Sequence, residues 1–200
     1  MSTRREAPRA RALATLYFED YRVGYRASAG PYEVREEEVL EFGRRFDPRP
    51  FHTDPVAARD SIFGGLVASG CHVFCIRSWL STHLPDQPDL LAGLGSETLD
   101  LPNPVRPGDA LSLEIECLEC RPSQSRPGAG IVKLRNVITN QRDEPVMTRD
   151  ALLLVWWQDL ESHTEGFRQS PEYQRWKALL HPFYEPFPEV EHYAPLLSGP

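Results

Sequence analysis

The sequence predicts an α+β domain in which an antiparallel sheet wraps around one buried helix. Residues 69–83 are apolar around most of a helical circumference, so we expect this helix to be buried on all sides. From residue 90 onward, apolar residues recur with the period of two that is typical of strands. Residues 151–157 are apolar on both strand faces, which indicates a central strand. A buried helix followed by strands in hairpins favours this architecture.

The N-terminal half is predicted to contain a first strand and two helices ahead of the buried one. Residues 17–32 are aromatic and polar with glycine breaks, and they predict a lead-in loop and a strand. Acidic residues at 36–38 suit the first turn of a helix, whose apolar residues recur at helical spacing as far as Asp47. Asp54 followed by Pro55 predicts the cap and the first position of a short helix.

The C-terminal half is predicted to supply the other strands of the sheet. Segments rich in glycine, proline and polar residues separate them and have the composition of turns. The predicted strands are 98–101, 111–121, 131–140 and 145–158.

These elements divide the chain into three segments. Residues 1–16 hold several arginines and no apolar run, and we expect a flexible N-terminal tail. Residues 17–159 form the folded domain. Residues 160–200 form a C-terminal extension, with a short helix capped by Ser170 and then a tail rich in proline and aromatic residues.

Composition narrows the classes of function. The chain has 200 residues and a formal net charge of −7, which argues against general nucleic-acid binding because that needs a basic face. It has no apolar run of about 18 residues, so we expect no membrane span. The N-terminus lacks the apolar core of a secretory signal. We therefore expect a cytoplasmic protein that binds neither nucleic acid nor membrane.

The four cysteines are expected to be buried thiols rather than metal ligands. Cys117 and Cys120 have CxxC spacing, which is also the spacing of zinc and redox sites. The surrounding residues alternate as in a strand, and residues three apart on a regular strand point to opposite faces. The sequence therefore predicts no metal site, and reduced thiols suit the cytoplasm.

The segment from Asp47 to His52 is the first candidate for catalysis. Its two prolines each restrict their own backbone and that of the preceding residue, so we expect a rigid, non-helical loop. Such a loop can hold a carboxylate and an imidazole at a set distance, which is what proton-transfer chemistry requires.

The start of the buried helix is the second candidate. Ser69 is a favourable N-cap, and Gly70 follows it without a side chain to block approach. The first N–H groups of a helix have no internal partners, so they can bind the oxygen of a polarised carbonyl. The alternative is that the glycines at 64, 65 and 70 only allow the helix to pack closely on the sheet.

Together these motifs resemble the MaoC-like dehydratases, the R-specific enoyl-CoA hydratases, over residues 18–158. The resemblance rests on Asp47, on the run Pro50 to Pro55 with His52 inside it, on the glycine-bearing run 63–70, and on Val-Arg-Pro-Gly-Asp at 105–109. It implies the hotdog fold, a long helix wrapped by an antiparallel sheet. It also implies a homodimer or higher homo-oligomer and no cofactor.

The resemblance further implies roles for individual residues. Asp47 and His52 match the family's acid–base pair, and Gly70 matches the glycine whose N–H polarises the thioester carbonyl. Ser69 and Ser78 complete the predicted oxyanion and substrate-binding set, since Ser78 falls where some hydratases place a serine close to the pair. The implied reaction adds or removes water across C2–C3 of an acyl thioester, carried by CoA or an acyl carrier protein.

The chain departs from the family pattern at three positions. Arg49 replaces the usual Asn, Phe51 an aliphatic residue, and Ser69 the His before the glycine. These changes bear on substrate preference. Two other functions stay open: a hotdog acyl-CoA thioesterase, and a non-catalytic subunit that binds acyl thioesters.

Overall fold

The structure is a computed structural model that describes residues 14–126 and 128–158, together with Arg175. The chain divides into two compact units, Met1–Asp159 and Leu160–Pro200. The predicted C-terminal helix, the aromatic tail and most of the predicted N-terminal tail lie outside the described residues. Thr15 and Leu16, the last residues of that predicted tail, donate their N–H groups to the carbonyl of Gln87.

Five antiparallel strands form one sheet in the order β1-β3-β4-β5-β2. In the chain, β1 comes before the α-helices and the other four strands follow them. The strands are β1 (Arg26–Glu33), β2 (Leu90–Asp100), β3 (Ala110–Pro122), β4 (Ala129–Thr139) and β5 (Pro145–Trp156). The helices are α1 (Glu36–Phe46), α2 (Pro50–Thr53) and α3 (Gly70–Ser81). The predicted α+β class is confirmed, and β5 is a central strand as its sequence predicts.

Helix α3 packs on the sheet through one face only. Val73, Ile76 and Leu80 are buried against the sheet, because they recur on one side of the helix. Cys71 and Cys75 are exposed on the other side, so the prediction that all four thiols are buried is wrong for these two. The prediction of all-round burial is therefore wrong for the described chain, since the sheet covers α3 from one side. None of the helices in the described part of the chain is long and apolar enough to cross a membrane.

Strand β2 is longer than its sequence predicts. It begins at Leu90 rather than at residue 98, and it pairs with β5 through three irregularities in register. Gly93 and Gly95 lie in this stretch, and bulges with glycine interrupt the alternation of side chains that reveals a strand. Strand β2 also forms an edge of the sheet, with most of its residues exposed.

A bulge in β3 changes the geometry of the CxxC pair. The pairing with β4 shifts between Cys117 and Glu119, so Leu118 is inserted and Cys117 and Cys120 face the same side of the strand. Their side chains interact, and this contact together with burial raises the pKa of Cys117. The prediction that these two thiols point to opposite faces is wrong, because it assumed a regular strand. Within the described ranges no three His, Cys, Asp or Glu side chains are grouped to hold a metal ion.

The segment between α1 and α3 is more helical than predicted. Pro50 begins the one-turn helix α2, which contains His52, whereas the sequence predicted a non-helical loop. The reason is that proline is well tolerated at the first helical position, where its missing N–H would have no partner. Asp54 accepts hydrogen bonds from the N–H groups of Val56 and Ala57. The short helix that follows is a 3-10 helix, Ala57–Asp60, whose N-cap position is Val56, so the predicted cap at Asp54 and helix start at Pro55 are wrong.

Candidate active site

The end of helix α1 positions Asp47. Its N–H donates to the Gly43 carbonyl at 2.9 Å and its own carbonyl accepts from the Arg49 N–H at 2.8 Å. Gly43 is buried, and a Cβ there would lie 2.5 Å from the carbonyl oxygen of His52. The absence of that side chain lets α1 pack directly on the backbone of α2, which brings Asp47 close to His52.

His52 is a buried histidine with a fixed ring. Its Nδ1 lies 2.7 Å from the carbonyl oxygen of Val67. A carbonyl can only accept, so Nδ1 carries the proton and donates it. The Val67 N–H in turn donates to the carbonyl of Phe51, which holds this strip of backbone in place. The Nε2 atom is left facing Asp47, 3.4 Å from its Oδ2.

Asp47 is held as a hydrogen-bond acceptor on both of its oxygens. Ser69 Oγ donates to Oδ2 at 2.8 Å, and Arg49 Nε donates to Oδ1 at 3.1 Å. The Arg49 side chain is mostly exposed, so its ion pair with Asp47 is screened by solvent. Ser69 is buried and also accepts from the Cys71 N–H at 3.3 Å as the cap of α3. One serine thus connects the carboxylate to the helix N-terminus.

A cavity of about 280 Å³ opens next to the His52 ring. Gly70 lines it at the start of α3, and Leu101 lies against Gly70, since a Cβ there would be 2.6 Å from Leu101 Cδ1. Its walls are mainly apolar, which suits an acyl chain more than a polar ligand. The other lining residues are Phe51, Phe63, Val67, Ala68, Val73, Pro102, Asn103, Pro104, Val105 and Val146.

Aromatic side chains and one arginine shape the wall beside His52. The Phe51 ring meets the His52 ring edge-on at 4.5 Å and the Phe63 ring at 5.1 Å. Arg106 Nη2 donates to the Phe63 carbonyl at 2.5 Å, so it ties the 61–65 turn to the loop before β3. The Phe at position 51, where the family has an aliphatic residue, therefore forms part of an aromatic wall.

Four of the five sequence-predicted site residues lie together. Asp47, His52 and Ser69 are connected as described, and Gly70 shares the cavity with His52. Ser78 lies about two turns further along α3, where its Oγ donates to the Phe74 carbonyl at 3.1 Å within the helix. It is not among the residues that line this cavity.

Sequence reasoning missed three residues that shape the site. The Val67 carbonyl orients His52, Leu101 covers Gly70, and Arg106 holds the turn that carries Phe63. Arg106 lies in the Val-Arg-Pro-Gly-Asp motif at 105–109, so the sequence could have marked it as a candidate site residue. The Val67 contact gives no signal, because any residue type supplies a backbone carbonyl.

Comparison with known proteins identifies the family. The sequence model of the MaoC like domain matches residues 22–138, which is more than half of the chain. The chain belongs to the MaoC-like family. The predicted family and hotdog fold are thereby confirmed.

Solved MaoC-like structures agree with this fold. The MaoC-like dehydratase from Rhodospirillum rubrum is 40% identical with a TM-score of 0.67, over 72% of this chain and 99% of that one. The (R)-hydratase from A. caviae involved in PHA biosynthesis is 26% identical with a TM-score of 0.53, over 66% of this chain and 96% of that one.

Curated relatives of this MaoC-like protein are more distant or cover shorter segments. The 3-hydroxybutyryl-CoA dehydratase of Methylorubrum extorquens is 31% identical over 116 residues, 57% of this chain and 71% of that protein. A 46-residue segment is 70% identical to the uncharacterized protein YczJ of Bacillus subtilis. That match spans 23% of this chain and about half (48%) of YczJ. The family therefore includes hydratases and dehydratases.

Proposed function

We propose that this MaoC-like protein is an (R)-specific enoyl-CoA hydratase, and in reverse a 3-hydroxyacyl-CoA dehydratase. The observation that carries the proposal is the His52 ring, whose Nε2 faces Asp47 at 3.4 Å while its Nδ1 is held by Val67. Both His52 and the first residue of α3 line one apolar cavity. An acid–base pair, an apolar cavity and a helix N-terminus are the parts that hydration of an enoyl thioester needs.

The hydrogen bonds of the site favour His52 as the base. The neutral ring with its proton on Nδ1 has a lone pair on Nε2, which can take a proton from a water that attacks C3. Asp47 then lies next to the imidazolium and stabilises its charge. The proton taken from the water is delivered to C2, so the hydroxyl goes to C3, the hydrogen to C2, and the ring returns to its starting state.

The start of α3 is proposed to stabilise the enolate that forms between these proton transfers. Negative charge develops on the thioester oxygen when C3 is attacked, and a helix N-terminus carries partial positive charge. Gly70 has no side chain to prevent the oxygen from approaching. In other enzymes, one such donor contributes about 10²- to 10³-fold in rate.

Short acyl thioesters of CoA are the proposed substrates. The cavity of about 280 Å³ is small for a ligand site, and Leu101 and Phe51 narrow it. The name of the M. extorquens relative, a 3-hydroxybutyryl-CoA dehydratase, supports a short chain on CoA. The (R)-hydratase neighbour supports the R stereochemistry.

A homodimer is the proposed assembly. Strand β2 is an 11-residue edge strand, and such an edge offers unpaired N–H and C=O groups to a second strand. Exposed leucines accompany it, with Leu94, Leu99 and Leu101 about half exposed. Apolar surface of this kind favours an interface between subunits.

The test is a panel of enoyl-CoA thioesters assayed for loss of the conjugated double bond. Wild-type protein is expected to hydrate a short-chain substrate, and Asp47→Asn and His52→Ala to lose about 10²-fold or more of kcat/KM. Asp143→Asn is the matched control, since asparagine tolerates the positive φ of 58° in that turn. It is expected to keep wild-type turnover.

Three results would contradict the proposal. Wild-type turnover in both dyad variants would mean that Asp47 and His52 are not the acid–base pair. Release of free CoA without hydration would indicate a thioesterase. Tight binding of enoyl-CoA without turnover would indicate a non-catalytic subunit.

A further inference from the structure

Arg77 is a largely buried cation with no acidic partner in the described part of the chain. Its Nε and Nη2 donate to Asn136 Oδ1 at 3.0 and 2.6 Å. A guanidinium has five N–H donors, and the other three have no acceptor among the described residues. Burial, with the nearby charge of Arg149, lowers the pKa of Arg77 to about 10. A buried charge without a counter-charge is unfavourable, so this position favours an anion.

Arg149 on β5 adds a second positive charge beside Arg77. Its Nε donates to Ser96 Oγ at 2.6 Å and its guanidinium lies 5.0 Å from the centre of the Phe74 ring. Neither contact supplies negative charge, and burial lowers the pKa of Arg149. The positive charges of Arg77 and Arg149 therefore add to each other where α3 faces β5.

Asn136 cannot serve as the missing counter-charge. It is fully buried and neutral, and its Nδ2 donates to the carbonyls of Leu134 at 3.0 Å and Arg149 at 3.4 Å. These bonds orient the amide so that Oδ1 faces Arg77. Asn136 thus holds the guanidinium in one orientation and leaves its charge uncompensated.

Arg77 lines a second cavity, of about 240 Å³, which is separate from the cavity of His52. Most of this cavity's wall is apolar, including Leu84, Ile115, Leu134 and Leu153. An acid on the wall, Asp86, accepts a hydrogen bond from Thr15 Oγ1 at 3.3 Å and forms no ion pair with Arg77 within the described ranges. An apolar cavity with a cation at its edge is complementary to a small molecule that has an apolar body and one anionic end.

We propose that this second cavity binds a small aliphatic carboxylate, with the carboxylate on Arg77 and the chain among the leucines. A carboxylate matches the planar, paired donors of a guanidinium, which favours it over a more highly charged phosphate in so apolar a cavity.

The carboxylate has two chemical sources. Gly70, Val73 and Arg77 follow one another at helical spacing on one face of α3, and the first two line the cavity of His52. The carboxylate is therefore either a free acid or the far end of an acyl chain that runs about 10 Å along α3 from a thioester at Gly70, which is longer than the short chains proposed above. The second source rests on the proposed hydratase function, and the first does not.

Binding of hexanoate to the full chain, compared with hexan-1-ol by titration calorimetry, tests the proposal. Hexanoate is expected to bind at least about tenfold more tightly than the alcohol, because only hexanoate carries a negative charge that can pair with the Arg77 guanidinium. Arg77→Met is expected to remove that difference and Arg77→Lys to keep part of it. Arg121→Met is the matched control, since Arg121 is exposed and paired with Glu119, and it is expected to bind hexanoate as wild type does.

The comparison of the two ligands on wild-type protein needs no variant, so a misfolded Arg77→Met leaves the test intact. Equal affinities for hexanoate and hexan-1-ol would overturn the proposal, as would unchanged hexanoate binding in folded Arg77→Met. Unchanged binding together with loss of the oligomer in that variant would show that Arg77 contacts a partner subunit instead.

Competition distinguishes the two sources. Hexanoate that competes with the enoyl thioester for binding supports the far end of the acyl chain as the source. Hexanoate that binds without competing supports a separate carboxylic acid. Since binding is measured directly, a protein without hydratase activity still gives a result at Arg77.

Discussion

Ser69 has two roles at one position, because its hydroxyl donates to Asp47 and accepts from the first turn of α3. Replacing it with alanine removes both contacts. We expect Ser69→Ala to lose about 1 kcal/mol in the free energy of unfolding, as is typical of a lost N-cap. We also expect it to lose about tenfold or more in kcat/KM, since a buried bond to a charged group is lost. Urea unfolding and steady-state hydration assays measure the two effects.

Ser69→Gly separates the two roles. Glycine at an N-cap costs only about a few tenths of a kcal/mol, so stability is expected to remain close to that of wild type. Glycine cannot donate to Asp47, so kcat/KM is expected to fall about as far as in Ser69→Ala. Wild-type activity in Ser69→Gly would show that Ser69 acts only as a cap.

Single residues show where sequence reasoning succeeds at the site and where it ends. Asp47 and His52 could be predicted because a carboxylate and an imidazole lie five positions apart in one short segment that contains two prolines. The contact between Ser69 and Asp47 joins residues 22 positions apart, and only the packing of α1 and α2 against α3 creates it. The role of Gly43 is also hidden, since it depends on the close approach of the His52 backbone.

The packing of α1 against α3 buries a second histidine, which makes the stability of the fold sensitive to pH. The His72 ring stacks on Phe42 at 4.7 Å, and its Nδ1 is buried without a hydrogen-bond partner. Burial lowers the pKa of His72 below its usual 6.5, although Glu38 opposes the shift. The folded state thus favours the neutral ring, whereas the unfolded chain binds a proton once the pH falls below about 6.5.

The free energy of unfolding is therefore expected to be highest above pH 6.5 and to decrease as the pH falls towards the lowered pKa of His72. His72→Leu is expected to show a weaker decrease than wild type between pH 7.5 and 5.5 in urea unfolding. His83→Gln is the control, since His83 lies just beyond α3 with its ring stacked on Trp79, and its hydrogen bonds are exposed. An equal decrease in His72→Leu and wild type would refute the role of His72.

At the scale of elements, regular periodicity was predictable and interruptions of it were not. Strands β3, β4 and β5 follow the alternation of their side chains and end at turn residues. Strand β2 was underestimated because glycines and three shifts in register break its alternation. The bulge at Leu118 also could not be predicted from the sequence, and it reverses the predicted orientation of Cys120. A backbone irregularity of one residue moves every later side chain to the other face.

At the scale of the whole molecule, both proposed sites lie between α3 and the sheet. The cavity of His52 lies at the N-terminal end of the helix, and the cavity of Arg77 lies towards its C-terminal end. The first uses the partial charge of a helix terminus and the second a full charge on a side chain. Net charge could not predict this, because a chain with a formal charge of −7 still leaves Arg77 and Arg149 without an acidic partner among the described residues.

Dimerisation through β2 would bury the exposed edge of the sheet, and one substitution tests it. Wild-type protein is expected to sediment as a dimer of 22.8 kDa chains. Leu94→Lys is expected to shift the equilibrium towards monomer, because a charge on an edge strand disfavours pairing with a second strand. Val23→Lys makes the same change at another exposed apolar position, 68% exposed, and is expected to remain dimeric. A monomeric wild type would refute the dimer, and a dimer that both variants preserve would place the interface away from β2.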